Sequence, residues 1–563
     1  MQTTTPKKII LHLKALYIRG IIPGSMKIIA AQNIIQTIHG RPATALLVFG
    51  ILYYLSYFNY GLDLDDEGLL LIGAQSILHG DWPVADFFSY PPISYFLLAG
   101  FYKVFGDGVL SERILLLLLL LANAQLVFWI SRQFLNGAWK LLPAFTYILA
   151  PGPWYKLFFI SAIIWSTSAL ILYIYNPSLR RAFLLGLTTS IALLTRHQAG
   201  IIALILSFLG LSTLTIRHKL THTNVPWRLL GTHTIGLLSG MTLPILMTAL
   251  AYSLAGKWTD LLLHIKLYYL ERETIKVINK LGILTVFSPA SFLSRPTLEQ
   301  SFYAAGLLAT VGLLLRSVRA FLSYRGIHQQ RAHLCIILAV AALGSLSYSY
   351  LFVWNSRMLS TFPLVYIIWA LIIERLYYQL RQKSPLLAIL ATIIAVGMIA
   401  TPIAIFTKIQ NYSGSLTTRI AQMTTIDHPL LQHIHVYEMQ QKDITRLRSL
   451  LDKYHVKYLV SMSESTTMSY LSGLPNPTYY RPFTVEFGAP GEPARLLRTI
   501  EELCIDAFVA RRSQFLPGGG LGSNLRQYAP KVRQHLLSHY RIEPLGEGFV
   551  LLIRNTDCNK GSI

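Results

Sequence analysis

Six carboxylates, Asp63, Asp65, Asp66, Glu67, Asp81 and Asp86, fall within residues 61 to 92 with no Lys or Arg among them, although the chain carries a formal net charge of +23. A carboxylate can take a proton from a hydroxyl, orient it or hold a cation. Apolar and aromatic residues interleave with these acids: Leu69 to Ile72, Trp82, Phe87, Phe88 and Tyr90. That pattern suits short helices pressed onto a membrane with carboxylates directed into a protein cavity, and an ordinary solvated loop is the plainer alternative. Burying a carboxylate in hydrocarbon costs about 2.5 to 3.5 kcal/mol even on the lenient insertion scale, so the cluster belongs at or above the interface.

The elements that position this loop are membrane spans. The 563 residues are 53% hydrophobic and only 13% charged, with a mean hydropathy of +0.47, whereas soluble domains carry about 25% charged residues. A helix needs about 20 mainly apolar residues to cross the hydrocarbon. About eleven such stretches lie between Pro42 and Phe406: 42–60, 114–131, 138–151, 157–175, 182–195, 199–215, 229–255, 301–322, 333–352, 359–377 and 386–406. Of these, 138–151 and 182–195 are short for a crossing. Residues 91–106 open with Pro91 and Pro92 and read as an interfacial or re-entrant helix. Residues 1–41 lack a compact apolar core with a cleavage site and read as an amphipathic segment on the inner membrane surface.

Charge then sets direction. With a cytoplasmic N-terminus, alternate connections hold Arg132 and Lys140, Arg180 and Arg181, Arg217, Lys219 and Arg228, Arg316, Arg319, Arg325 and Arg331, and Arg375, Arg381 and Lys383, against a single acid, Glu374. The acid-rich loop at 61–113, the loop at 257–300, the turn at 353–359 and the tail from Lys408 then face outward. The net positive charge is an inner-face attraction to anionic membrane lipids, and nucleic acid binding is not needed to explain it.

From residue 408 the composition turns soluble. Helical spacing from Asp443 runs into the strand-like KYLVSM, PARLLRTIEELC into IDAFVA, and PKVRQHLLSHY into a strand pair around a Gly-Glu-Gly turn, which predicts a small α/β domain over 408–563. PGGG at 517–520 reads as a flexible loop, and His433 with His435 as a surface pair without a third ligand. The three cysteines form neither a metal spacing nor a framework, although Cys504 and Cys558 could bridge.

The first outer loop resembles that of the GT-C glycosyltransferases, the group that includes protein O-mannosyltransferases and the lipid A aminoarabinose transferase. Asp66 and Glu67 match the acidic pair that opens the loop, Asp86 a later acid, Pro91, Pro92 and Gly106 the following helix, and Arg113 the arginine that begins the next span. LLTRHQAG at 193–200 and SYLSGLPNPTYYRPF at 469–483 are similar to a mid-chain break and a tail segment of the same group. The resemblance implies a polytopic α-helical membrane protein of GT-C type, with residues 42–407 as catalytic domain and 408–563 as an extracytoplasmic α/β domain. It implies transfer of a sugar from a polyprenyl-phosphate donor to a hydroxyl of a glycan, lipid or protein acceptor, outside a bacterial inner (plasma) membrane, with inversion.

Chemistry of that kind needs a base for the hydroxyl and cations for the leaving phosphate. Asp66 is the first candidate for the base, with Glu67 and Asp65 as its alternatives or supports, because adjacent helical residues point about 100° apart and sequence does not choose the face. Asp86 would orient the acceptor or complete a metal site, or simply hold the loop backbone; the involvement of a divalent metal stays open. Lys156, Arg196, His197 and Arg357 are the outward cations for the donor phosphate. A transporter or flippase of lipid-linked sugars would show internal repeats, and none is visible. A non-enzymatic membrane scaffold would leave the acid cluster without a purpose.

Overall fold

The computed structural model describes residues 41–64, 66–153, 156–220, 227–267, 298–324, 327–349, 356–407, 421–462, 464–481, 483, 491–514, 525, 529–546 and 548–555. Each of the eleven apolar stretches coincides with helix: α1 Pro42–Leu55, α4 Val109–Ser131, α5 Leu142–Leu149 preceded by a 3₁₀ turn Gly137–Leu141, α6 Leu157–Tyr175, α7 Leu179–Thr195, α8 His197–Leu220, α9 Trp227–Leu254, α11 Leu298–Ser323, α12 Ile327–Ser349, α13 Pro363–Lys383 and α14 Pro385–Thr407. Among the described residues, six of these (α4, α6, α9, α11, α12 and α14) are long and apolar enough by themselves to cross a membrane. The stretch at 138–151 is split because Pro143, at the start of α5, cannot donate to a continuing helix. Between α1 and α4 the acidic loop folds into α2 Asp66–Leu78 and α3 Ile93–Phe105, the latter where the paired prolines predicted a helix, and α10 Trp258–Ile265 follows α9.

Burial separates the helices by role. The most apolar window of α6 is 89% buried and forms the centre of the bundle, whereas that of α9 is 17% buried, so its exposed Leu246, Leu250 and Leu254 suit contact with lipid. Helix α9 grips the bundle through Gly236 and Gly240, four residues apart. A Cβ at Gly240 would overlap the Phe183 carbonyl of α7, so only glycine permits this backbone approach. Inside, Asn123 donates to Ser161 Oγ (2.8 Å) and Tyr147 Oη (3.3 Å) and accepts from Trp165 Nε1 (3.1 Å), which satisfies a polar side chain that no water could reach.

The tail is the expected α/β unit. Helix α15 Glu438–Lys453 leads into β3 Leu459–Ser461, α17 Glu492–Glu502 into β4 Ala507–Arg511, and α18 Pro530–His539 into the hairpin β5 Tyr540–Pro544 and β6 Phe549–Arg554. The sheet order is β3-β4-β6-β5, parallel between β3 and β4 and antiparallel elsewhere. A short pair, β1 Met423–Thr425 and β2 His435–Tyr437, precedes it, and α16 Thr466–Ser472 follows β3. Cys504 is disulfide-bonded and Cys335 is free and buried, while Cys558 lies outside the described residues, as do residues 1–40 and the loop PGGG at 517–520.

Candidate functional site

The segments assigned by charge to one side of the membrane meet. Asp66 from the first loop, Lys156 from the connection before α6 and Arg196 from the break between α7 and α8 line one cleft together with Tyr90, Ser94 and Tyr95. The cleft is narrow, about 30 Å³, room for about two waters.

Local structure explains each position. Asp66 begins α2, where a carboxylate faces the unpaired amides and positive end of the helix. Arg196 has extended backbone between two helices, its N–H donating to Ala192 O at 2.9 Å and its carbonyl accepting from Gly200 at 3.0 Å. A Cβ at Gly200 would come within 2.5 Å of Leu193 Cα, so glycine is what lets α8 fold back on α7. The Arg196 guanidinium sits over the ring of Tyr90 at 4.0 Å and that of Tyr348 at 4.9 Å. Lys156 is 5% exposed and donates to Tyr348 Oη at 3.0 Å. Tyr348, contributed by α12, thus touches both cations, and nothing in the charge pattern singled it out.

The neighbouring acids have other partners. Glu67 is fully buried in an ion pair with Arg113 Nε, and its other oxygen accepts from Asp63 N at 3.0 Å. Arg113 also donates to Phe58 O and Gly61 O, both at 3.0 Å, so the pair laces the start of the loop to the head of α4. Asp86 does not line the cleft. It accepts from Trp82 N at 2.9 Å and from Lys257 Nζ at 2.7 Å, and that hydrogen bond raises the Lys257 ammonium above its ordinary value. His197 begins α8 but is not among the lining residues. Asp65 lies outside the described residues, and of Arg357 only the backbone, in the 3₁₀ turn Ser356–Thr361, is described. Among the described residues no three His, Cys, Asp or Glu side chains come together as a metal set.

The tail holds this loop from outside. Gly61 N donates to His435 O and His435 N to Asn59 O, both at 2.8 Å, with the rings of Tyr60 and His435 stacked. Helix α16 packs on α2 so closely that a Cβ at Gly68 would overlap the Thr467 backbone. The segment at 469–483 supplies the clamp. Tyr470 donates to Asp107 Oδ1 (2.7 Å), Tyr479 to Val84 O (2.8 Å), and Arg481 to Asp81 Oδ2 (2.9 Å) and to Ser76 Oγ. Burial, and then the Asp107 charge, push the Tyr470 hydroxyl well above its ordinary range, so it remains a donor.

No family model and no curated protein matches the chain. Among solved structures it is similar to ArnT from Cupriavidus metallidurans bound to undecaprenyl phosphate, at 12% identity over 92% of this chain and 98% of that chain, with a TM-score of 0.49. It is also similar to the apo oligosaccharyltransferase of Archaeoglobus fulgidus, at 12% identity over 92% of this chain and 75% of that chain, with a TM-score of 0.49.

Proposed function

We propose that the chain is an inverting membrane glycosyltransferase that moves a sugar from a polyprenyl-phosphate donor to an acceptor hydroxyl on the extracytoplasmic side. The observation that carries this reading is the meeting of one carboxylate, Asp66, with two cations, Lys156 and Arg196, in a cleft at one end of the bundle. Among the described lining residues, one acid against two bases favours an anion over a divalent cation.

The acceptor hydroxyl gives its proton to Asp66 as its oxygen bonds to the anomeric carbon. The bond from that carbon to the phosphate oxygen breaks on the opposite face, which inverts the centre. The phosphate departs as a lipid-borne dianion, and Lys156 and Arg196 supply two compensating charges in a site shielded from water. The rings of Tyr90 and Tyr348, 4.0 and 4.9 Å from the guanidinium carbon, hold Arg196 in place. Glu67 acts through Arg113 to place the loop, and Asp86 through Lys257 to hold its middle; both are positioning residues. The disulfide at Cys504 supports placing the tail, and with it the cleft, on the oxidising outer side.

Polyprenyl phosphate binding to the purified chain tests the donor half. Arg196→Gln and Lys156→Met should each weaken it, and should each lower turnover by about 10²-fold or more. Unchanged donor binding in both variants rejects the phosphate role.

A further inference from the structure

The segments assigned to the other side of the membrane form a second cluster, which the chemistry above does not use. Arg316 and Arg319 near the end of α11, His328 and Arg331 at the start of α12, and Arg375 on α13 line a single cavity of about 690 Å³, with Tyr324 at its rim. Among the described residues none of the four arginines forms a salt bridge with a carboxylate. The adjacent Glu374 accepts from Asn136 N at 2.9 Å, and its charge reaches Arg375 and offsets part of the repulsion there. Arg375 is close enough to Arg316 and Arg331 to feel their charges.

Helix ends account for only part of this. Neither Arg319 nor Arg331 lies in the terminal turn of its helix, where the dipole acts, so helix ends contribute little to the placing of these two. Four like charges around one cavity repel one another, and a ligand bearing two or more negative charges removes that repulsion. The same helix end presents Leu315 and Leu322, 66% and 79% exposed, beside the arginines. These are surfaces for acyl chains, which a soluble phosphate would leave unused.

We infer that this cavity binds the phosphate headgroup of an anionic membrane lipid in the leaflet opposite the cleft. Binding to the intact chain in neutral detergent can be read by native mass spectrometry with three probes: phosphatidic acid, phosphatidylcholine and inorganic pyrophosphate. Phosphatidic acid should bind saturably and about tenfold or more tighter than phosphatidylcholine. Arg316→Gln with Arg331→Gln should erase that preference. Arg180→Gln with Arg381→Gln, which removes the same charge from the same face away from the cavity, should preserve it. Equal loss in the two double variants would mean diffuse attraction and overturn the site. Pyrophosphate binding as tightly as phosphatidic acid would make the ligand a soluble phosphate and overturn the lipid assignment. Lack of lipid preference in the unaltered chain overturns the proposal without reference to any variant's folding.

Discussion

The carboxylate of Glu67 is buried against the guanidinium of Arg113, 46 residues away, while Asp66, one position earlier on the same helix, faces the cleft. The two acids of one motif therefore do different work. Glu67→Gln removes one partner of a buried pair and leaves Arg113 only the adjacent Glu112, also fully buried, to balance its charge. It should destabilise the protein by about 1 to 3 kcal/mol. Denaturant or thermal unfolding of the purified variant checks this, and a stability unchanged from the parent would show that the pair does not hold the loop.

Gly68 is the contact point between the loop helix and the tail. Gly68→Ala places a methyl group into the Thr467 backbone, an overpacking that costs about 1 to 3 kcal/mol and shifts α2 away from α16. Because Asp66 lies two residues earlier, turnover should fall along with resistance of the tail to limited proteolysis. Loss of one without the other would separate docking from the site.

Acidity should loosen the tail through His428. Its Nδ1 accepts from Leu430 N at 3.2 Å, so the ring proton sits on Nε2 and is donated to Leu471 O at 2.9 Å. Burial holds this imidazole below its ordinary value. The unfolded chain then binds the proton more readily than the folded one, so the contribution is complete above about pH 6.5 and is lost as pH falls below it. The thermal midpoint should drop between about pH 7.5 and 5, and His428→Gln, which keeps a donor for Leu471, should shrink the drop. His264, His435 and His535, also lowered by burial, add to the drop in the same direction. An undiminished drop in the variant would clear His428 of the effect.

The architecture was legible because bilayer thickness imposes a length and composition that every span must meet. Alternation of Arg-rich and Arg-poor connections was enough to group Lys156, Arg196 and Asp66 on one side, and they share a cleft. What could not be read were relations between distant positions. Arg481 meets Asp81 across 400 residues, and Tyr348 meets Lys156 across 192. Neither pairing leaves a local trace. The face of α2 was equally hidden, since a helix turns about 100° per residue and only packing against Arg113 on one side and the cleft on the other decides which acid points where. Asp86 carried a motif-like position, yet its carboxylate is held by the Trp82 amide and Lys257.

The central claim is that Asp66 takes the proton of the acceptor. The most direct measurement is the single-turnover rate of sugar transfer from polyprenyl-phosphate hexose and pentose donors by the intact chain in vesicles, with donor binding followed in parallel. Asp66→Asn should lower the rate by about 10² to 10⁴-fold while donor binding and folding stay as in the parent. A rate within a few-fold of the parent, with the donor bound equally well, would contradict the account.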